Sequence, residues 1–205
     1  MLEAIIFDIG NVLLRFDFNR MLVRIAPFCE MESASILTRL APLKDRLESG
    51  QISNDVFLDQ VSTLIGYKGP RQELIAAWQE IFDPIEATHD LVKQLKGRIP
   101  MYLLSNTSGL HSKYFLSMYP IFNHFERAVY SHRVQMSKPE PEIYEYAMVE
   151  FGVNPSRTLF IDDLSANIKA ASEVGFHTHL YSEERHDDLR NVLRTFGIEV
   201  YGLDD

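Results

Sequence analysis

This chain has almost no capacity for cross-linking: among its 205 residues Cys29 is the sole cysteine. An intramolecular disulfide is excluded, so stability has to come from burial. Excess positive charge is missing as well, since 20 Lys and Arg stand against 29 Asp and Glu for a net charge of −9. A nucleic-acid backbone is therefore not an expected partner, and an anionic substrate would need a local positive site. No apolar stretch approaches the ~20 residues that cross a bilayer, and the first residues lack the basic, apolar and small-residue order of a signal peptide. No membrane partner is expected, and a cytoplasmic setting is the simplest expectation. Low-complexity tracts and internal repeats are absent too, while 46% of the residues are hydrophobic and 11% aromatic. Such a composition packs one sizeable core, or a core with a small satellite.

What is present begins at residues 4 to 14, Ala-Ile-Ile-Phe-Asp-Ile-Gly-Asn-Val-Leu-Leu. Ala4 to Phe7 are apolar without alternation, as in a parallel strand covered on both faces. Asp8 ends that run and Gly10 follows, where a glycine is expected to free the backbone for a sharp turn. An acid in this place either presents a carboxylate at the edge of a sheet or caps the next helix.

Residues 17 to 82 carry helical periodicity, with stripes such as Met21, Leu22, Ile25 and Val56, Phe57, Val61, Leu64. Breaks are expected at Pro42, at Ser49-Gly50 and at residues 66 to 70, with Ser53 as an N-cap and Pro70 in the first turn of the helix that follows. The pattern predicts about four short helices with no strand between them. From residue 86 helices and strands alternate, with strands at 99–105, 127–131, 158–162 and 177–181 and helices at 86–96, 109–118, 140–151, 165–174 and 185–195. Strands separated by helices imply right-handed crossovers, so the fold class is α/β, a doubly wound parallel-sheet core with an inserted α-helical block.

Ligands in such folds bind outside the carboxyl ends of the strands. There stand Asp8, Ser105-Asn106 and Asp162-Asp163, with Lys138 in the loop after the 127–131 strand. Three carboxylates at one mouth repel one another unless a cation neutralises them, and an all-oxygen donor set suits Mg²⁺. Mg²⁺ keeps positions open for a phosphate oxygen and water.

The motifs Phe-Asp-Ile-Gly-Asn-Val-Leu at 7 to 13, Leu-Leu-Ser-Asn-Thr at 103 to 107, Lys138-Pro139 and Phe-Ile-Asp-Asp-Leu-Ser-Ala-Asn-Ile at 160 to 168 resemble the haloacid dehalogenase-like (HAD) superfamily, in order and with its spacing. The resemblance implies a Rossmannoid core at 1–15 and 85–205 with a helical cap of the first subfamily at 16–84. It implies Asp8 as a nucleophile that forms an aspartyl-phosphate, Ser105 and the backbone of Asn106 as holders of the phosphoryl oxygens, and Lys138 as the group that steadies Asp8 and offsets the phosphate charge. Mg²⁺ would be held by Asp8, the carbonyl of Gly10, and Asp163 or Asp162, with Asp163 preferred as the direct ligand.

One position departs from that pattern. Most phosphatases of the family carry a second Asp two residues after the nucleophile, which protonates the leaving alcohol, and here that residue is Gly10. Haloacid dehalogenases lack this acid, so carbon–halogen hydrolysis is one alternative, and a non-catalytic binding or regulatory protein is another. The retained Asp162-Asp163 pair favours phosphate chemistry. A closer resemblance already contains the glycine: the Asp-x-Gly-Asn-Val opening, Glu48-Ser49-Gly50-Gln51-Ile52-Ser53, Trp78-Gln79 and Leu110-His111 look like the bacterial α-D-glucose-1-phosphate phosphatase branch. The expectation is a Mg²⁺-dependent phosphatase acting on a small-molecule phosphate ester such as a sugar phosphate, with Asp17, a cap residue or water supplying the proton. Trp78, Phe57 and Phe82 are expected in the core, Arg20 and Arg46 facing solvent, and the histidines, His111, His132, His177 and His179 among them, in structural roles.

Overall fold

The computed structural model describes residues 2–201. Five parallel strands, β1 (Ala4–Phe7), β4 (Met101–Ser105), β5 (Arg127–Tyr130), β6 (Thr158–Asp162) and β7 (His177–Leu180), form one sheet in the order β5-β4-β1-β6-β7. The central strand pairs on both sides, Ile6 opposite Tyr102 of β4 and opposite Phe160 of β6. Side chains alternate along it. Ile5 and Phe7 enter the layer built with α5 (Glu86–Leu95), α6 (Gly109–Met118) and α10 (His186–Thr195), while Ala4 and Ile6 enter the layer built with α8 (Pro141–Phe151) and α9 (Ser165–Glu173). Burial on both faces explains the unbroken apolar run. Since the chain goes from β1 to one side and later returns to the other, the strand order reverses at the carboxyl end of β1, where Asp8 stands.

The inserted block contains α1 (Phe18–Ile25), α2 (Ser33–Glu48), α3 (Asn54–Ile65) and α4 (Arg71–Gln79), packed around their own cluster that includes Met21, Ile36, Phe57, Val61 and Trp78. Fully burying side chains of this size contributes roughly 1.5–3 kcal/mol each. Local signals set the ends of α3: the Ser53 hydroxyl accepts from Val56 N–H at 3.2 Å, and Gly66 takes a left-handed conformation (φ 63°).

The structure corrects the sequence reading in three places. Pro42 does not break the chain but lies inside α2. A proline in a helix interior costs about 3 kcal/mol, and burial of Ile36, Leu40 and Leu47 along one face of α2 offsets it. Pro70 caps α4 from just outside rather than standing in its first turn. The helical block is also not strand-free at its ends, because β2 (Leu14–Phe16) and β3 (Phe82–Pro84) pair as an antiparallel ribbon with Phe16 opposite Phe82. That ribbon crosses the first place where the sequence put the core–cap seam and ends at the second. Across the seam, Gln79 Nε2 donates to Leu110 O at 3.0 Å, and Leu110 itself packs into the cap cluster.

Candidate active site

Asp8 sits one residue past β1, its backbone N–H donating to Ile161 O of β6 at 2.9 Å and its side chain almost wholly buried. Lys138 reaches the same point from the loop before α8. Its buried ammonium lies 2.9 Å from Asp8 Oδ1, 2.6 Å from Asp162 Oδ2 and 3.0 Å from Leu104 O, so all three N–H donors are used. Burial disfavours that ammonium, yet the Asp8 and Asp162 carboxylates outweigh it and hold its pKa above the ordinary lysine value. Asp8 has the opposite problem. Burial raises its carboxyl, Lys138 lowers it and Asp162 raises it again, leaving it pushed up to about 6.

The two acids at the end of β6 differ in what they have left to offer. Asp162 is fully buried and saturated: Lys138 donates to one oxygen, Leu164 N–H and Asn167 Nδ2 to the other at 2.8 and 2.9 Å. Tyr144 in turn donates to Asn167 O at 3.0 Å and fixes that residue. Asp163 is half-buried, lines the cavity in front of Asp8, and accepts one bond, from Asn11 Nδ2 at 3.0 Å. One carboxylate oxygen each of Asp8, Asp162 and Asp163 lies within 4.8 Å of the others. Three carboxylates against one ammonium leave an excess of negative charge in a buried place, and the donors are all oxygen. That combination fits a hard dication such as Mg²⁺.

Gly10 does not play the backbone role expected of it. The left-handed residue of the turn is Asn11 (φ 51°), a residue type that tolerates this conformation. Gly10 matters for space: a Cβ there would come within 3.2 Å of the Phe16 ring. The place where a side chain at position 10 would start is thus crowded by an aromatic ring from β2.

Gly10 and Ser105 line the same cavity of about 360 Å³ as Asp8, Lys138 and Asp163. Asn106 lines it too, and its side-chain amide pairs reciprocally with the backbone of Lys138, Nδ2 to O at 2.8 Å and Oδ1 from N–H at 2.9 Å, which locks the lysine loop to the end of β4. Ser105 does not cap α6, since Ser108 takes that role by accepting from His111 N–H at 3.2 Å. Asp17 caps α1 through Asn19 N–H, lies exposed and contributes nothing to the cavity wall, which removes it as a proton source. Trp78 and Phe57 are buried as expected, but Phe82 is only half-buried and faces the cavity. His111 also lines it; its Nε2 bonds Trp78 O at 3.0 Å, its ring stacks on Trp78, and burial pushes its pKa down to about 3. A neutral structural imidazole results. Arg20 is exposed and paired with Asp83, and Arg46 is likewise exposed.

Several residues of the site escaped sequence reasoning. Asn11 and Asn167 fall inside the quoted motifs, and only the structure shows them holding Asp163 and Asp162. Lys44, Asp45 and Glu48 form the wall contributed by α2, and an i, i+4 Lys–Glu pair on a helix gives no sign of which way it faces.

An α/β core with a buried aspartate at the end of its central strand, a buried lysine beside it and a paired acid motif defines a class, and the family comparison agrees with it. The chain belongs to the haloacid dehalogenase-like hydrolases, whose family model matches residues 2–175. It is 29% identical to a D-ribitol-5-phosphate phosphatase of Bacteroides thetaiotaomicron, over 94% of this chain and 97% of that protein. Among solved structures it resembles a HAD family enzyme from the same bacterium in its magnesium complex, at a TM-score of 0.82 and 26% identity, covering 94% of this chain and 98% of the other. A HAD-like hydrolase of Porphyromonas gingivalis matches with a TM-score of 0.81 and 28% identity over 95% and 98% of the two chains.

Proposed function

We propose that this hydrolase is a Mg²⁺-dependent phosphatase that removes phosphate from a small phosphorylated metabolite, a sugar or polyol phosphate, by way of an aspartyl-phosphate on Asp8. The observation that carries this reading is the cluster of Asp8, Asp162 and Asp163 around one buried lysine, opening on a cavity that Ser105 also lines. Halide leaves without a metal, so a dehalogenase does not require an acidic pair to hold one, and three carboxylates buried against one ammonium are costly unless a cation completes the site. The name of the ribitol-phosphate relative and the magnesium complex of the structural neighbour support the same reading, and a cavity of about 360 Å³ matches a small metabolite.

In this mechanism Asp8 attacks phosphorus in line with the ester oxygen. Lys138 keeps the attacking carboxylate oriented and offsets the charge that builds on the phosphoryl oxygens. The Ser105 hydroxyl and the Asn106 N–H receive two of those oxygens. Asp8, Asp163 and the Gly10 carbonyl would hold Mg²⁺, with Asp162 behind them fixing Lys138. The bound dication neutralises phosphate charge and lowers the Asp8 pKa. Water then hydrolyses the acyl-phosphate, while the block at 16–84 serves as a cap that shields the first step from solvent.

The test is hydrolysis of a phosphometabolite panel with and without Mg²⁺, beside Asp8→Asn. The expected result is Mg²⁺-dependent phosphate release that falls by about 10⁴-fold or more in the variant. Release that persists in EDTA, or an active Asp8→Asn protein, overturns the reading.

A further inference from the structure

Position 10 leaves this site without the side chain that would protonate a leaving alkoxide, and resting on the phosphatase reading above, the structure narrows what replaces it. The titratable groups lining the cavity are Asp8, Asp163, Lys138, His111, and Lys44, Asp45 and Glu48 of α2. Asp8 and Asp163 belong to the nucleophile and cation cluster, and Lys138 has no free donor. His111 is neutral and tied to the Trp78 carbonyl. Asp45 has a side chain 75% exposed, whereas that of Glu48 is 18% exposed.

The end of α2 that carries Glu48 is tied directly to the core. At the last residue of α2, its backbone carbonyl accepts from the Ser131 hydroxyl at 2.5 Å, and Ser131 Oγ accepts in turn from Thr107 N–H at 2.9 Å, two residues from Ser105. Gly50, two residues on, lies so close that a Cβ there would stand 2.5 Å from the His132 carbonyl oxygen. A second cavity of about 330 Å³ is lined by Glu48, Asn106 and Lys138 together, so Glu48 stands beside the loops that carry Asn106 and Lys138. Lys44 donates to Oε2 of Glu48 at 2.8 Å, and Oε1 accepts no hydrogen bond from the described residues.

We propose that Glu48 is the general acid of this enzyme, delivering a proton from Oε1 to the departing ester oxygen while Lys44 orients the carboxyl through Oε2. As the P–O bond breaks, its electron pair stays on the ester oxygen and takes the Glu48 proton, releasing the alcohol. The Glu48 carboxylate is reprotonated from solvent, so the acid is restored and hydrolysis of the aspartyl-phosphate, the step common to every ester, does not draw on it. Burial raises the Glu48 carboxyl above its ordinary range, Lys44 holding it back in part, which is the direction a proton donor needs. The role is separate from the metal cluster and lies on a different element.

The experiment compares two esters in Mg²⁺, a polyol phosphate whose alkoxide needs a proton and p-nitrophenyl phosphate whose phenolate does not, for the wild type, Glu48→Gln and Glu48→Asp. Glu48→Gln is expected to lower kcat on the polyol ester by about 10²- to 10⁴-fold and to leave kcat on p-nitrophenyl phosphate within a few-fold. It also removes the alkaline limb of the pH profile for the polyol ester, and Glu48→Asp restores part of the rate. An equal fall on both esters, or a change in KM alone, overturns the proposal and makes Glu48 a packing or binding residue. If the wild type turns over neither ester, the phosphatase reading fails and this inference with it. A wild type active on both with Glu48→Gln unimpaired on the polyol ester overturns the inference alone.

Discussion

The two walls of the cavity are built on different principles. On the core side Lys138, Asp162 and Asn167 are buried and joined by hydrogen bonds of 2.6 to 3.0 Å. On the cap side Lys44, Asp45 and Glu48 keep partial contact with solvent, and the helices around them are joined by ion pairs such as Arg24 with Glu73 and Glu80 or Arg71 with Asp55 and Asp59. Buried charge without its partner is expensive, whereas an exposed pair costs little to rearrange. A single change is therefore costly in the core wall and cheap in the ion pairs of the cap.

The sharpest way to break this contrast is to remove the cation at its centre. Lys138→Met leaves Asp8 and Asp162 buried without an ammonium, and urea denaturation in EDTA is expected to show a loss of about 3–5 kcal/mol. Added Mg²⁺ should recover more stability in the variant than in the wild type, because a dication can replace the missing charge. A loss under about 1 kcal/mol would mean that solvent reaches these carboxylates and that the two walls are alike.

A smaller effect follows from pH. His186 of α10 donates or accepts through Nδ1 with the Tyr181 hydroxyl at 3.1 Å, its buried Nε2 has no partner among the described residues, and burial pushes its pKa down to about 4. The unfolded chain takes up that proton near pH 6.5 and the folded one only near pH 4, so the unfolded state binds more protons between them. Stability should fall as pH drops through that window, on the order of 2 kcal/mol, and His186→Gln should flatten the dependence measured by urea melts. An unchanged slope in the variant assigns the window to other groups.

The smallest effect is expected in the cap. Arg24→Gln breaks two partly exposed ion pairs and should cost less than about 1 kcal/mol, with most of the difference gone at high salt. A loss of several kcal/mol that salt does not touch would show that the cap is held as stiffly as the core.

Legibility in the sequence followed the same division. Ala4–Phe7, Met101–Ser105 and Thr158–Asp162 announce themselves because a strand buried on both faces has to be apolar at every position, and the polar residue that ends each run stands out. The three-residue strands β2 and β3 are too short to show any period, and Pro42 inside α2 sends a signal that burial overrides. The sequence assigns the turn after Asp8 to Gly10, and the left-handed residue that makes it is Asn11.

Local order along the chain determined the class of fold and the residues at the strand ends, Asp8, Ser105, Asp162 and Asp163, since backbone periodicity acts over a few residues at a time. Tertiary structure alone decided which groups meet: Phe16 against Gly10, Lys138 between Asp8 and Asp162, and the end of α2 fastened by Ser131 so that Glu48 borders the cavity. Those meetings join residues far apart in sequence, and they depend on how helices pack across a seam, which no local pattern encodes.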